Sequence, residues 1–345
     1  MAFKSAAQRK WFFANQGGGS GTSKGKNYKP GTDPTKTLVK QNERAMKKAV
    51  EEGNKKIAES KTDLRKIEQS KKQSEKGDSR DKFYDKNSNR YSQERNKLHQ
   101  KLLTKIDNPN AFPNPGEKPK VIFIGGLTGS GKSSAIAKLI DRKSGVEDYK
   151  AYPKFVYLNS DDFKTWLPEY NGYNANYVHE ESSDIFEEGI DRYRDQRKQI
   201  IIDATLKNAK KAHKKMQEFR DTGYEVILYG TNIPGEKSIN RATSRFQRTK
   251  RYVPLKFIKG NAEETNKSVM KLRHRADKYA VFDTDVKKGE PVKLIESDTS
   301  LKLDRQQTAD KVVLTEEEWR DIGVDKSDLK GYDTKDFKKV KVRII

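Results

Sequence analysis

The feature that most constrains this chain is a glycine-rich turn between an apolar run and a helix-forming run. Residues 121–126 read VIFIGG, residues 126–133 read GLTGSGKS, and residues 132–143 favour a helix. The turn matches the pattern G-x-x-x-x-G-K-[ST] in full, and it has the strand-before, helix-after context that the pattern requires. Glycines let successive backbone N–H groups point inward as an anion nest at a helix N-terminus. The sequence therefore predicts a phosphate-binding loop for a nucleotide.

Each residue of this loop is expected to take part in nucleotide binding. Lys132 should reach the β- and γ-phosphates, and the hydroxyl of Ser133 should ligate Mg²⁺. The predicted cofactors are therefore ATP or GTP with Mg²⁺, and the motif alone leaves ATPase, GTPase and kinase open. The expected nucleotide-binding residues are Gly126, Leu127, Thr128, Gly129, Ser130, Gly131, Lys132, Ser133 and Ser134.

Beyond Pro119 the chain alternates between strand-like and helix-like runs. This alternation predicts an α/β fold with a doubly wound, mainly parallel sheet. Open α/β sheets bind ligands at the carboxyl edge of their strands, so the residues that follow the strands are candidate site residues. The predicted strands are 121–126, 155–160, 199–205 and 225–230, and the predicted helices are 132–143, 177–198, 208–222, 235–249 and 261–279.

Carboxylates follow two of these strands. Asp161 and Asp162 end the second strand, and either can accept the proton of an attacking hydroxyl. Aspartate also favours the N-cap of a helix, and that interpretation stays open here. The third strand, QIIIDAT, runs into Asp203, as a Walker-B-type carboxylate near Mg²⁺ does.

Four arginines lie within eleven residues after the fourth strand. Arg241, Arg245 and Arg248 share one helix face, and Arg251 follows before Tyr-Val-Pro. Arginines in a lid can clamp phosphates and neutralise charge in a transition state. A solvated basic face is the alternative. We expect the clamp, because this segment lies where a lid would close over the edge of the sheet.

Together these pieces resemble the zeta toxin family of P-loop kinases over residues 119–295. The Asp-Asp-Phe-Lys segment and the arginine lid are more specific than the P-loop. The matching segments, in the order of the family, are GGLTGSGKS, NSDDFK, residues 179–183, IIIDATLKN, EVILYG, SRFQRTKRYVP and VFDTD at 281–285.

The resemblance implies an α/β kinase that transfers a γ-phosphoryl group to a hydroxyl, which in characterised toxins belongs to a UDP-N-acetyl amino sugar. It implies that Asp161 is the catalytic base and that Lys132, Arg245 and Arg251 stabilise phosphate charge. The expected substrate-binding residues are Asp162, Glu181, Thr205 and Lys207, and the expected metal ligands are Ser133 and Asp203. Where several members have Glu-x-Thr-x-Arg, this chain reads Asp203-Ala-Thr205-Leu-Lys207.

Composition divides the chain into four predicted regions. Residues 1–110 hold 27 Lys or Arg against 13 Asp or Glu, with few apolar runs. The predicted domains are a flexible docking segment and linker at 1–35, a basic helical extension at 36–118, the P-loop kinase domain at 119–286 and a small appended element at 287–345. The segment AQRKWFFA also resembles the openings of some phage head-associated proteins.

The net charge of +23 predicts attraction to polyanions. One alternative to a small-molecule kinase follows from this charge: a nucleic-acid kinase that grips a polynucleotide or modified base through the basic N-terminal region. A second alternative is a kinase anchored to a larger assembly, such as a virion, through its N-terminal helices and aromatic segment.

Other features exclude some classes of protein. The chain contains no cysteine, so disulfides and thiolate chemistry are excluded. Its apolar runs are shorter than the roughly 18 residues of a membrane span, and Met-Ala-Phe-Lys lacks the apolar region of a signal peptide. We expect a cytoplasmic protein without a membrane partner.

Overall fold

The computed structural model describes residues 34–135, 137, 139–140, 151–286 and 292–298. The side chains of residues 34–37, 133 and 134 also lie outside that description. Most of the predicted docking segment, most of the predicted C-terminal element, and residues 136, 138 and 141–143 of the predicted 132–143 helix therefore fall outside the described residues. Within the described residues, none of the helices combines the length and apolar character needed to cross a bilayer.

The N-terminal region forms several separate helices rather than one continuous helical stretch. Ser60, Asp78 and Ser92 each cap a new helix by accepting a hydrogen bond from a backbone N–H three residues later. A small antiparallel hairpin interrupts the stretch between 70 and 97, where polarity is high. The elements are α1 (Pro34–Ala58), α2 (Lys61–Glu75), α3 (Ser79–Phe83), β1 (Tyr84–Asp85), β2 (Arg90–Tyr91) and α4 (Gln93–Ile106).

A six-stranded sheet forms the centre of the molecule. Its order is β4-β5-β3-β6-β7-β8, with the first five strands parallel and β8 antiparallel at the edge. This confirms the predicted α/β fold with a mainly parallel sheet. The strands are β3 (Lys120–Gly125), β4 (Val156–Asn159), β5 (Ile200–Asp203), β6 (Glu225–Asn232), β7 (Lys278–Asp283) and β8 (Lys293–Ser297).

Helices connect the strands and cover the sheet. The prediction for 261–279 was wrong at both ends: the helix starts at Leu255, directly after Pro254, and Lys278 and Tyr279 already belong to a strand. Proline suits the start of a helix because its missing N–H would be unpaired there. The helices are α5 (Lys132–Ala135), α6 (Ser160–Trp166), α7 (His179–Asp195), α8 (Ala209–Asp221), α9 (Gly235–Thr249), α10 (Leu255–Leu272) and a 3₁₀ turn (Arg273–Arg275).

The N-terminal helices share hydrophobic clusters with the sheet domain. Leu102, Leu103 and Ile106 of α4 are buried with residues of β3, β4 and β5. Residues of α1 and α2 are buried with residues of α9 and α10. The division into 36–118 and 119–286 stays a prediction about domain organisation, and the packing is continuous across it. Likewise β8, within the predicted 287–345 element, extends the central sheet.

Candidate active site

The glycine loop lies where β3 ends, in a conformation that requires glycine. Gly126 has φ +149°, and a Cβ there would lie 2.0 Å from Oγ1 of Thr231. Gly129 has φ +81°, and a Cβ there would lie 3.0 Å from the carbonyl oxygen of Ser238. Both positions lie in the left-handed region, where side chains are strained. The backbone of the loop is therefore held close to the start of α9 and the end of β6.

Side chains from the neighbouring β6 and α9 form polar contacts with this loop. The hydroxyls of Ser130 and Thr231 lie 2.8 Å apart. Arg241 donates to the carbonyl of Ser130 at 3.4 Å and to the carbonyls of Thr284 and Val286 at 2.8 Å each. Arg241 therefore braces the loop against the segment after β7. Its guanidinium binds backbone carbonyls, which differs from the clamp expected from its helix face.

Lys132 lies over the loop, with Asp203 beside it. Its Nζ donates to the carbonyls of Gly126 at 3.1 Å and Leu127 at 3.4 Å, and it lies 3.7 Å from Oδ1 of Asp203. The register of the parallel strands places Asp203 beside Ile124 and Asn159. The ends of three neighbouring strands thus bring an ammonium and a carboxylate to one edge of the sheet.

Asp203 itself is buried and oriented by a tyrosine. Its side chain is 5% exposed, and the hydroxyl of Tyr157 donates to its Oδ2 at 2.7 Å. Burial and the charge of Asp203 raise the pKa of Tyr157 well above its usual value, so the phenol remains a donor. This contact leaves Oδ1 directed toward Lys132.

Asp161 lies in the first turn of α6. The N-cap of that helix is Asn159, whose Oδ1 accepts the backbone N–H of Asp161 at 2.9 Å. The N-cap alternative for Asp161 was therefore wrong. Its carboxylate accepts from Lys164 Nζ at 3.0 Å and forms an ion pair with Arg251, and the side chain is 42% exposed. Burial raises the pKa of Asp161, but Lys164 and Arg251 outweigh it and lower the pKa to about 2.

Arg245 projects toward the same charges without a bonded partner. Its Nε and Nη2 atoms are buried, and neither has a hydrogen-bond partner among the described residues. Burial first, and then the like charge of Arg251, lower its pKa, while Asp161 acts in the opposite direction. Buried donors without acceptors are costly. An anion bound beside Asp161 would supply the missing acceptors.

The structure does not bring Glu181 into this group. Glu181 is fully buried, and Arg95 donates to both of its carboxylate oxygens, at 2.8 Å to Oε2. His99 Nε2 lies 2.7 Å from Oε1. Burial raises the pKa of Glu181, but His99 and Arg95 lower it to about 2. The expectation that Glu181 binds substrate is corrected, because its oxygens are occupied by α4 and closed to solvent.

Sequence reasoning missed this charged cluster altogether. Arg95 also donates to both carboxylate oxygens of Glu169, at 2.9 Å and 2.7 Å. Glu169 and Glu181 lie 74 and 86 residues from Arg95 in the sequence, so no local spacing indicates that they are its partners. The only signal available was that α4 carries an arginine and a histidine four residues apart, on the face where its leucines lie.

Thr205 and Lys207 flank the other side of the loop. The carbonyl of Thr205 accepts the N–H of Gly126 at 3.3 Å. Lys207 Nζ lies 3.4 Å from Oδ1 of Asn261 and 5.4 Å from the centroid of the Phe257 ring. These residues and Leu127 and Thr128 line one small cleft, and the Phe257 side chain is 51% exposed at its mouth.

The remaining predicted site residues are only partly defined. The Asp162 side chain is half-buried on α6, and its carbonyl accepts from Thr165 at 2.7 Å. The side chains of Ser133 and Ser134 lie outside the described residues. In the described part of the chain, no cluster of three or more acidic, histidine or cysteine side chains could hold a metal by itself. P-loop enzymes hold Mg²⁺ with one hydroxyl, one carboxylate and phosphate oxygens. Of these groups the described residues supply the carboxylate of Asp203 beside the loop, and the metal site stays a prediction.

The fold and this edge of the sheet define a P-loop phosphotransferase. The profile of the Zeta toxin family matches residues 104–300, more than half of the chain. The chain belongs to the zeta toxin family. The match starts inside α4, so it includes the end of the predicted helical extension.

Two solved structures are similar to this chain over about 60% of its length. One is the PezAT chromosomal toxin-antitoxin system of Streptococcus pneumoniae, with 16% identity, TM-score 0.43, and coverage of 60% of this chain and 81% of that one. Another is AvrRxo1-ORF1:-ORF2 with ATP, with 22% identity, TM-score 0.48, and coverage of 61% and 68%.

A third similar structure is the Pnkp1/Rnl/Hen1 RNA repair complex, with 21% identity, TM-score 0.34, and coverage of 46% and 47%. No curated protein sequence matches this chain significantly. The family assignment rests on the profile match, and likenesses this distant assign no substrate.

Proposed function

We propose that this protein transfers the γ-phosphoryl group of ATP or GTP to a hydroxyl of a nucleoside-bearing small molecule, of which a UDP-N-acetyl amino sugar is the first candidate. The observation that carries the proposal is the group of charges at the carboxyl edge of the sheet. There the Asp161 carboxylate lies between Lys164 and Arg251, with the unpartnered guanidinium of Arg245 directed at the same place.

Each residue has a distinct role in this proposal. Asp161, which is ionised at neutral pH, orients the acceptor hydroxyl and takes up its proton during the transfer. Arg245 and Arg251 neutralise the charge on the transferring group. Lys132 moves from the loop carbonyls to the phosphates. Asp203 and Ser133 would hold Mg²⁺, which supplies charge neutralisation between the phosphates when bound.

The cleft beside Thr205 supports an acceptor that carries a base. Phe257 is exposed, and Lys207 lies over its ring. An exposed aromatic ring next to a lysine can stack on a base while the ammonium contacts a phosphate. Both groups lie next to the first residues of the phosphate loop, on the side of Thr205. A nucleoside diphosphate sugar has both of these parts, as well as free hydroxyls.

The acceptor can be identified by label transfer with the full chain. Protein is incubated with Mg²⁺ and γ-labelled ATP or GTP, together with UDP-N-acetylglucosamine, free nucleosides or DNA and RNA oligonucleotides. We expect label on the nucleotide sugar, and Lys132→Ala as the control should remove it. Label on nucleosides alone would refute the sugar nucleotide, and no transfer to any acceptor would refute the proposed function.

A polynucleotide acceptor is the second candidate. The groove between α8 and α10 carries Lys207, Lys267 and Lys271, although Glu263 and Glu264 also line it. A grip on polynucleotide phosphates predicts activity that falls steeply with salt. Label on oligonucleotides, with such salt dependence, would favour this candidate. The virion anchor involves the docking segment at 1–35 and the N-terminal helices, and it stays a prediction.

Replacing Phe257 by alanine is expected to raise the KM for the acceptor roughly tenfold, since base–aromatic stacking contributes about 1–3 kcal/mol. The KM for ATP should stay within about twofold. Phe112→Ala is a matched control, because Phe112 is also 51% exposed and has Lys198 Nζ 5.3 Å from its ring centroid. An equal rise in both variants would contradict the stacking role.

Replacing Arg245 by leucine is expected to lower activity without lowering stability. Loss of a cation from the transition state should lower kcat/KM by roughly 10²-fold. The melting temperature should be unchanged or higher, because two buried donors without acceptors disappear. Arg44→Leu on the exposed face of α1 is the control for a lost surface arginine. A destabilised but active Arg245→Leu variant would show that the guanidinium is structural.

A further inference from the structure

A carboxylate of the N-terminal helices is bonded to the segment that carries the site arginines. Asp63 lies on α2 and is 5% exposed. Its Oδ2 accepts from Lys250 Nζ at 2.7 Å, and its Oδ1 accepts from the hydroxyl of Tyr173 at 2.7 Å. Lys250 is 187 residues away in sequence, so this contact joins two distant parts of the chain.

Lys250 is the residue immediately before Arg251, and its backbone is tightly defined. It caps α9 with φ +59°, in the left-handed region, and its N–H donates to the carbonyl of Phe246 at 2.8 Å. The N–H of Tyr252 donates to the carbonyl of Gly172 at 3.0 Å. Arg251 is thus bracketed by two fixed residues, and from there its guanidinium reaches Asp161.

Close packing against α1 also holds α9, the helix that Lys250 caps. Gly53 of α1 approaches α9 and α10 so closely that a Cβ there would lie 2.7 Å from Oγ1 of Thr243 and 2.5 Å from Cδ1 of Leu255. Val50 and Ile57 are buried in the same cluster. The helix that carries Arg245 and the turn that carries Arg251 are therefore packed against α1 and α2.

We propose that Asp63 is a positioning residue for phosphoryl transfer: by bonding to Lys250 it fixes the turn that presents Arg251 to Asp161 and the transferring phosphate. This inference rests on the proposed function. It gives the N-terminal helices a part in the active site, although they contribute none of the groups that touch the substrate. The arginine segment is then preset by the extension, which differs from the closing lid that the sequence suggested.

The proposal predicts a coupled effect of Asp63 and Arg251. Asp63→Asn should lower kcat about tenfold, with the KM for ATP changed by less than about threefold, because the arginine acts on the transition state. In an Arg251→Ala background the same change should lower kcat by less than about twofold, since residues that act through one interaction are not additive. Tyr173→Phe should reproduce a smaller part of the loss.

Asp277→Asn is the matched control. Asp277 accepts from Arg220 at 2.8 Å and from the N–H of Val226 at 2.7 Å, at the amino end of the sheet and away from the site. Its replacement should leave kcat unchanged. If Asp63→Asn does not fold, Lys250→Gln removes the same ion pair from a half-exposed position. The kcat of Lys250→Gln is then measured in the wild-type and Arg251→Ala backgrounds.

The outcomes separate the two proposals. Wild-type protein that transfers no label overturns the proposed function. A different outcome is that the wild-type protein transfers label, but Asp63→Asn or Lys250→Gln lowers kcat equally with and without Arg251. That outcome overturns the positioning role and leaves the proposed function standing. An unchanged kcat in Asp63→Asn also overturns the positioning role and leaves the proposed function standing. A loss present only when Arg251 is present supports the inference.

Discussion

Asp161→Asn is expected to lower phosphoryl transfer by roughly 10²–10⁴-fold, the usual contribution of a positioned general base. Asparagine keeps the shape of the side chain but cannot accept the proton of the acceptor hydroxyl. The change also removes a negative charge between Lys164 and Arg251. Nucleotide affinity should therefore be retained or increased. The measurement is kcat and KM with the identified acceptor, alongside a nucleotide titration.

Asp191→Asn is the matched control for that result. Asp191 is 55% exposed on α7 and pairs with Arg194 at 2.9 Å across a spacing of three residues, as Asp161 pairs with Lys164. It lies in the C-terminal part of that helix, and its replacement should leave transfer unchanged. Loss of nucleotide binding in Asp161→Asn, or equal losses in both variants, would contradict the role of Asp161 as base.

Glu181→Gln is expected to destabilise the protein by about 3 kcal/mol, because removing one partner of a buried ion pair leaves a charge uncompensated. Glu181 is fully buried between Arg95 and His99. Glu169 remains as a partner for Arg95, so the loss should lie at the lower end of the range for such pairs. Urea unfolding of the full chain measures the difference.

The loss of stability at acid pH gives a second test of the contribution of Glu181. The pKa of Glu181 is about 2 in the folded protein, below its ordinary value of 4.5. Its contribution to stability is therefore complete above pH 4.5 and is lost as the pH falls toward 2. The Gln variant should lose less stability than wild type over that interval. Glu52→Gln, on an exposed pair with Lys48, should change stability by less than about 0.5 kcal/mol. Equal stability of the Glu181→Gln variant and wild type would contradict this account.

Local patterns predicted the parts of the site that lie next to the strands. The glycine pattern, Asp161 and Asp203 each follow an apolar run, so the sheet itself brings them to one edge. The bounds of α9 were predicted as observed, because Pro234 and Gly235 mark its start and a basic turn its end. For these elements, periodicity and end signals determine the structure.

The parts that could not be predicted depend on contacts across the fold. Glu181 stands in a motif that the resemblance assigns to the substrate, yet Arg95 and His99 occupy it. Asp63 lies on a very polar helix where no local pattern assigns it a role, yet it bonds to Lys250. Both cases involve the N-terminal helices. The packing of these helices against α7 and α9 cannot be read from local spacing.

The fate of the γ-phosphoryl group tests the central claim most directly. With labelled ATP and the acceptor found by label transfer, ADP and a labelled phosphate ester are measured together in the wild type and in Asp161→Asn. We predict one phosphate ester on the acceptor for each ADP formed, and loss of both products in the variant. Label recovered only as inorganic phosphate, at a rate that depends neither on the acceptor nor on Asp161, would contradict the account.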